Sequence, residues 1–328
     1  MRRTAIIGIA LLTVAFAACG DEGAGDGQLL RYGYQPGTTL TYDLSTGITG
    51  TLDIEGDFEP ETGSLDVALD MDTDAVLRYE FAEGTEPDLL DLTLTMEITG
   101  LGGTMDAQGE TRQLSLDELG EELRPIEAVF TIDDQGTIVS ASVDGQPLPT
   151  DLLEGLGASP TVLLTPQHFG PQLPEEPVSV GDRWETESVV SRFGFEVTTR
   201  GEHLVAAEET VGGRSTLRIE STVETTPLEL GMADLLAATA QEGEEVDQEM
   251  VDLMVEFFES LGGELRADVA GSTSTMTTWF DPADGVVVKF ELTQPQAADV
   301  AMQGVPEMGG DLSMSAQLET VSSAELSG

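Results

Sequence analysis

The single cysteine of this chain, Cys19, is the residue whose type and position predict chemistry most directly. It follows a basic start at Arg2 and Arg3, an apolar run over residues 5–16, and a pair of alanines. A short apolar run behind a basic start is typical of a secretory signal that ends at small residues. The run is too short for a membrane-spanning helix, which needs about 20 apolar residues. A thiol at the cleavage point predicts attachment of lipid to Cys19.

The sequence Val14-Ala15-Phe16-Ala17-Ala18-Cys19 resembles the lipobox of bacterial lipoproteins, with the usual pattern Leu-(Ala/Ser)-(Gly/Ala)-Cys. Phe16 stands where leucine is commonest. The resemblance implies that the signal over 1–18 is removed and that the thiol carries a diacylglyceryl group. It therefore implies a protein of the cell envelope, anchored by lipid at the extracytoplasmic face of the membrane. The alternative is an ordinary secretory signal that contains a cysteine.

The next segment, 19–28, is rich in glycine and aspartate, and we interpret it as a flexible acidic tether because such residues cannot build a core. The whole chain carries 62 acidic and 13 basic residues, for a net charge of −49. This balance argues against nucleic acid as a partner, because neutralising phosphates requires Lys and Arg. It also disfavours adsorption to anionic headgroups. We expect membrane contact through the Cys19 lipid alone.

The remaining residues predict no catalytic, cofactor or metal site. His168 and His203 are isolated, lack a Gly-x-Ser-x-Gly companion, and are interpreted as surface residues. The acidic run over 70–74 begins like a calcium loop, but Ala75 replaces the required glycine and Phe81 the bidentate glutamate. An exposed strand face explains that run better. Hydrolase activity remains an alternative only if a histidine lies within hydrogen-bond reach of a serine or an acidic residue in a cleft.

Period-2 alternation of apolar and polar residues dominates the chain, for example over 65–71, 77–81 and 90–98. Most of these runs end at Gly, Pro or Asp, which are turn residues. The pattern predicts a mainly β, β-rich α+β fold of antiparallel curved sheets with one wet face. A few helices are expected to cover the sheets.

The chain also contains a weak internal repeat, which predicts two β-rich units at 29–159 and 178–328, joined by a Pro-rich linker at 160–177. Each unit begins with a glycine three residues before a large apolar residue that opens a strand. Each unit also has a hairpin near its far end, at 130–139 and 279–288, with Asp and Gly in the turn. Such turns are common in β proteins, so coincidence is the alternative.

Helical spacing is clearest over about 245–261, with shorter candidates at 115–123 and 151–156. The apolar stripe of the longest segment includes Met250, Met254, Phe257 and Phe258. Two interpretations stay open. The stripe packs against a sheet as core, or it lines a cavity for an apolar ligand, since methionine packs adaptably.

A lipid-anchored, antiparallel β protein with covering helices resembles, at fold level, the LolA and LppX/LprG type of lipid-carrying protein. The strand entry Val180-Gly181-Asp182-Arg183-Trp184 is also similar to that of actinobacterial-style lipoproteins of undefined activity. The first resemblance implies a non-catalytic protein that binds an apolar small molecule or an envelope protein. The alternative is a structural envelope lipoprotein with a solid core.

The anchor assignment is tested by Cys19→Ser. We expect this variant to move from the membrane fraction to the soluble fraction, because the substituted hydroxyl cannot carry the thioether-linked lipid that holds the chain. Fractionation followed by immunodetection measures the outcome. Retention of the variant in the membrane fraction would contradict the assignment.

Overall fold

The computed structural model describes residues 27–56, 64–84, 86, 89–115, 125–132, 138–143, 145–147, 170–192, 195–231, 264–303 and 311–327. The described residues form strands β1 Thr39–Gly56, β2 Ser64–Glu83, β3 Leu90–Ala107, β4 Glu110–Ser115, β5 Ile126–Ile132, β6 Ile138–Val143, β7 Gln146–Pro147, β8 Arg183–Arg192, β9 Phe195–Val211, β10 Arg214–Thr225, β11 Leu228–Gly231, β12 Glu264–Val269, β13 Ser272–Asp281, β14 Val286–Gln303 and β15 Leu312–Leu326. The predicted β-rich antiparallel fold is confirmed.

The covering helices are not seen in these ranges. The predicted helices at 151–156 and 245–261 lie outside the described residues, as does the one at 115–123 apart from Ser115. Ser115 is the last residue of β4 and pairs with Gly102 of β3, so the chain is still extended where that helix was expected to begin. None of the described segments is a helix of the length and apolarity that a membrane crossing requires.

All of the strands belong to one sheet, whose main path is β7-β6-β5-β3-β2-β1-β15-β14-β13-β10-β9-β8. The path contains two antiparallel meanders, one from each half of the chain. They join where the first strand, β1, pairs with the last, β15. Off this path, β4 pairs with β3, β11 with β12, and β12 with β14. The predicted unit boundaries are not decided by this arrangement and stay predictions.

The long strands follow the alternation that the sequence predicts. In β2, Leu77, Tyr79 and Phe81 are buried, while Arg78 and Glu80 between them are exposed. Successive side chains of a strand point to opposite faces, so one face of β2 is dry and the other wet. The predicted exposed acidic run over 70–74 lies farther along the same strand.

The buried core lies at the end of the sheet where β1 begins, which we call the proximal end. It includes side chains from both halves of the chain: Leu40, Tyr42, Leu77, Tyr79, Leu92, Phe130, Val205, Ile219, Phe280 and Phe290. The Tyr42 hydroxyl donates to the Val287 carbonyl at 2.8 Å, so this buried phenol has its polar group paired. Among the described residues, the buried aromatic side chains make the proximal end the main source of hydrophobic stabilisation.

The two halves begin with the same turn. Gly37 and Gly181 both have positive φ, 86° and 97°. Gly37 N–H donates to Phe81 O at 2.7 Å, and Gly181 N–H donates to Val205 O at 2.8 Å. Glycine adopts positive φ without the steric cost that a Cβ brings, which explains why both strand entries contain it.

The β13–β14 hairpin uses the predicted turn chemistry. Gly285 has a φ of 69°, and the Asp281 carboxylate accepts from Ala283 N–H at 2.9 Å. Arg214 donates to the same carboxylate at 2.9 Å. The corresponding β5–β6 turn lies outside the described residues.

The residues before β1, 27–38, cross the proximal end and contact both halves; we call this segment the strap. Gln28 N–H donates to Val178 O at 2.8 Å, and Gly33 N–H donates to Gly285 O at 2.9 Å. Leu30 is fully buried. Tyr34 stacks on Phe81 with ring centroids 4.6 Å apart. The strap is therefore held on the core by hydrogen bonds, apolar burial and ring stacking.

Phe290→Ala tests the importance of the proximal core. Phe290 is 1% exposed, so we expect the free energy of unfolding to fall by about 3–5 kcal/mol. The matched control is Val321→Ala on β15, where the side chain is 47% exposed and the expected change is within about 0.5 kcal/mol. Urea unfolding of both variants measures the difference, and equal effects would contradict this location of the core.

Candidate functional site

The sequence-predicted site residues are not placed by the structure. Cys19 and the proposed apolar lining, Met250, Met254, Phe257 and Phe258, all lie outside the described residues, as does His168. Their predicted roles therefore stay predictions. The described part does place a different set of apolar residues, and it places His203.

An apolar surface occupies the far halves of the long strands, on the same face as the proximal core. We call it the distal apolar face. Its members are half-buried and come from β1, β2, β3, β14 and β15: Leu52, Ile54, Leu65, Val67, Leu69, Met71, Met105, Val300, Met302, Leu312 and Met314.

Strand register makes this face continuous. Ile54 of β1 pairs with Leu65 of β2 on one side and with Met314 of β15 on the other. Met314 pairs in turn with Val300 of β14. Directly paired residues of antiparallel strands point to the same side of the sheet, so these four side chains form one row across four strands.

Burial along β1 divides the face into two parts. Near the proximal end Leu40 and Tyr42 are buried, whereas Leu52 and Ile54 on the same face keep part of their surface exposed. The change occurs within one strand, and Thr46 and Gly50 interrupt the apolar positions between the two parts. The distal apolar face is therefore a continuation of the core side that the described residues cover only in part.

The opposite face of the distal halves is acidic. Asp53 lies directly opposite Asp66, and Asp268 directly opposite Asp299. These four carboxylates and that of Glu55 border a concavity of about 390 Å³. Among the described residues, no three His, Cys, Asp or Glu side chains are grouped so that they could hold a metal ion. Asp53, Asp66 and Asp299 are exposed, so the acidic face is a solvent-exposed surface.

Sequence reasoning identified the strands but not this surface. The run over 65–71 alternates leucine and valine with alanine and aspartate, which identifies an apolar side. Burial cannot be deduced from alternation alone, because the same pattern occurs in buried and in half-covered sheets. The sequence signal that could have identified this surface was the contrast between the apolar side and the strongly acidic side of these strands.

His203 is buried, and the prediction that it lies on the surface is wrong. It lies on the core side of β9 and is 4% exposed. Its Nδ1 is 2.9 Å from Ser221 Oγ on β10, and its Nε2 is 3.0 Å from Thr186 Oγ1 on β8. The ring stacks on Trp184 at 4.9 Å. Burial is tolerated because both ring nitrogens have hydroxyl partners from neighbouring strands.

Gly201 provides the space for this arrangement. A Cβ at position 201 would lie 2.6 Å from His203 Nε2 and 2.6 Å from Thr186 Oγ1. The absent side chain lets the imidazole approach the hydroxyl of β8. The ring is thus enclosed by the backbone of its own strand and by side chains of both neighbours.

The pairing of His203 with Ser221 satisfies only part of the condition for a nucleophilic site. The two groups are within hydrogen-bond distance, but Ser221 is itself 4% exposed. The second ring nitrogen meets a threonine hydroxyl rather than a carboxylate that would stabilise an imidazolium. Because His203 and Ser221 are both 4% exposed, the contacts describe a satisfied buried polar cluster.

Comparisons with known proteins do not identify a family. No family model matches the chain. No curated protein matches it. Among solved structures, it is similar to the outer membrane protein OprG from Pseudomonas aeruginosa, with a TM-score of 0.25, 7% identity, and coverage of 92% of this chain and 99% of that one. It is also similar to an outer membrane channel from Pseudomonas putida F1, with a TM-score of 0.23, 9% identity, and coverage of 93% and 99%. At these TM-scores the likeness carries no argument about fold or function.

Burial of His203 predicts a pH dependence of stability. Desolvation lowers the pKa of the imidazole from 6.5 to about 4, so between these values the unfolded chain binds a proton that the folded chain does not. The free energy of unfolding should therefore fall, by about 2–3 kcal/mol in total, as the pH drops from 6.5 to 4. Urea unfolding across this range should give a flatter profile for His203→Gln than for the parent. The two proteins have the same carboxylates, so any difference between their profiles comes from residue 203. Equal dependence of the free energy of unfolding on pH in both proteins would contradict the assignment.

Proposed function

We propose that this chain is a lipid-anchored, extracytoplasmic, non-catalytic protein that binds an apolar ligand, such as an acyl chain, on the distal apolar face. The observation that supports the proposal is the continuation of the core side of the sheet into a contiguous, half-buried apolar row. Anchoring through the Cys19 lipid at the cell membrane supplies the location. The expected contacts are the anchor membrane and an apolar small molecule, with an envelope protein as the other partner class.

The physical basis for binding is removal of apolar surface from water. Burial contributes about 25 cal/mol for each Å² of apolar surface covered. The row formed by Leu65, Ile54, Met314 and Val300 crosses four hydrogen-bonded strands, so a long, unbranched apolar molecule could lie along it. Ligand sites are mostly apolar with a few polar groups, and methionines at this face suit chains of variable shape.

The predicted amphipathic segment 245–261 supplies the other side of the site in this proposal. Met250, Met254, Phe257 and Phe258 would then contact the ligand from above the sheet, as in the lipid-carrying proteins that the sequence resembles. If the segment instead packs directly on the sheet, the core is solid, and the alternative of a structural envelope lipoprotein without a ligand applies.

We further infer that the body is a doubled unit. The shared entry turn at Gly37 and Gly181 and the two meanders support this inference. Each half alone would leave its outermost strand, β1 or β15, unpaired on one side. Pairing of these two strands is the reason that the doubled chain can present one continuous face.

The binding proposal is tested with Leu52→Gln, which places an amide on the distal apolar face. We expect uptake of a fluorescent fatty acid to fall several-fold, because the polar group would be desolvated by the bound chain. The matched control is Thr51→Gln, one residue away on the exposed acidic side of β1, and its uptake should equal that of the parent.

Native mass spectrometry of the parent after mild extraction provides the independent readout. We expect the mass of a bound lipid. Absence of bound lipid together with absence of fatty-acid uptake by the parent would overturn the proposal and favour the structural alternative. Equal loss of uptake in both variants would show that the distal apolar face is not the site.

A further inference from the structure

We propose that the proximal end of the sheet faces the membrane that holds Cys19, so that the distal apolar face projects away from that membrane. This inference rests on the proposed lipid anchor and deepens the proposed function. It identifies the side from which the apolar ligand is exchanged as the aqueous space on the far side of the body from the anchor membrane.

The first argument is the length of chain between the anchor and the folded body. The described structure begins at Gly27, so the chain from Cys19 extends at most about 28 Å. A flexible Gly-rich chain of that length has a root-mean-square span of roughly 16 Å. By contrast, β1 has 18 residues and is about 55–60 Å long at ~3.3 Å per residue. The tether is therefore short compared with the strand that it precedes.

The second argument is that the strap determines where the tether leaves the body. Gln28 and Val178 donate to each other's carbonyls at 2.8 and 2.9 Å. Tyr32 donates to Pro171 O at 3.0 Å and packs edge-to-face on Phe280. Leu30 is fully buried beside them. These contacts hold the first described residues against the body, so that they do not detach and lengthen the tether. The tether therefore leaves the body at the proximal end.

The third argument is the exposed apolar surface beside the tether exit. Leu29 and Val180 are about half exposed there, at 47% and 50%. An apolar surface beside the tether is compatible with a nearby bilayer interface. Exposed carboxylates occur at both ends of the sheet, for example Glu176 and Asp182 near the exit and Asp53 in the distal half, so charge does not distinguish the two ends.

Single-cysteine labelling tests the orientation in the full-length, lipidated protein. The native thiol carries lipid in this proposal, so an added cysteine is the only site for a thiol-reactive donor dye. Gln35→Cys labels an exposed turn at the proximal end, and Ser313→Cys labels an exposed position at the distal end. The proteins are reconstituted into phosphatidylcholine vesicles that contain an acceptor-labelled headgroup lipid.

We expect strong energy transfer from position 35 and several-fold weaker transfer from position 313. A Gly-Ser insertion after Asp26 should lower the transfer from position 35 towards that from position 313, because a longer tether loses orientational control. Equal transfer from both positions without the insertion, or stronger transfer from position 313, would overturn the inference.

Vesicle flotation and fatty-acid uptake separate this failure from failure of the proposed function. A protein that floats with vesicles and takes up fatty acid, but shows equal transfer from both labels, contradicts only the orientation. A protein that does not float contradicts the anchor itself, and the orientation with it.

Discussion

Pairing of β1 with β15 is the interaction on which the rest of the structure depends. It runs without a register shift from Tyr42 opposite Leu326 to Gly56 opposite Leu312 and joins the two ends of the chain. Because the side-chain period of a strand is 2, a slip by one residue would turn the apolar side of β15 towards water. The aligned register carries the core side of one meander into the other. Without it, neither the proximal core nor the distal apolar face would be continuous.

The two sides of the sheet explain how a chain with a net charge of −49 folds. Aspartates alternate with apolar residues, so the carboxylates collect on the wet side. Some of them lie directly opposite one another, as Asp268 and Asp299 do, and like charges in such cross-strand pairs are destabilising. The aromatic core and the strap at the proximal end offset this cost. The same charge discourages association of the wet faces.

Several features were predictable because they depend on local chemistry. Alternation over 77–81 predicted a strand with one buried side, and Asp281 and Gly285 predicted the turn that their hydrogen bonds and φ confirm. Glycine before each strand entry also marked where β1 and β8 begin. His203 was not predictable in this way. Its partners come from strands on either side, and no sequence spacing shows that Ser221 and Thr186 lie opposite it, so an isolated histidine resembled a surface residue.

By itself, the sequence determined the antiparallel β class, the acidic wet side and the prediction of a lipid anchor at Cys19, because these follow from residue type, alternation and a short motif. Tertiary structure alone decided which strands are neighbours, how far the core extends along β1, and that a histidine lies inside. The physical reason is that burial depends on non-local register. Leu40 and Leu52 carry identical side chains on the same face of one strand, yet the first is 7% exposed and the second remains half-covered, because only packing from distant parts of the chain separates them.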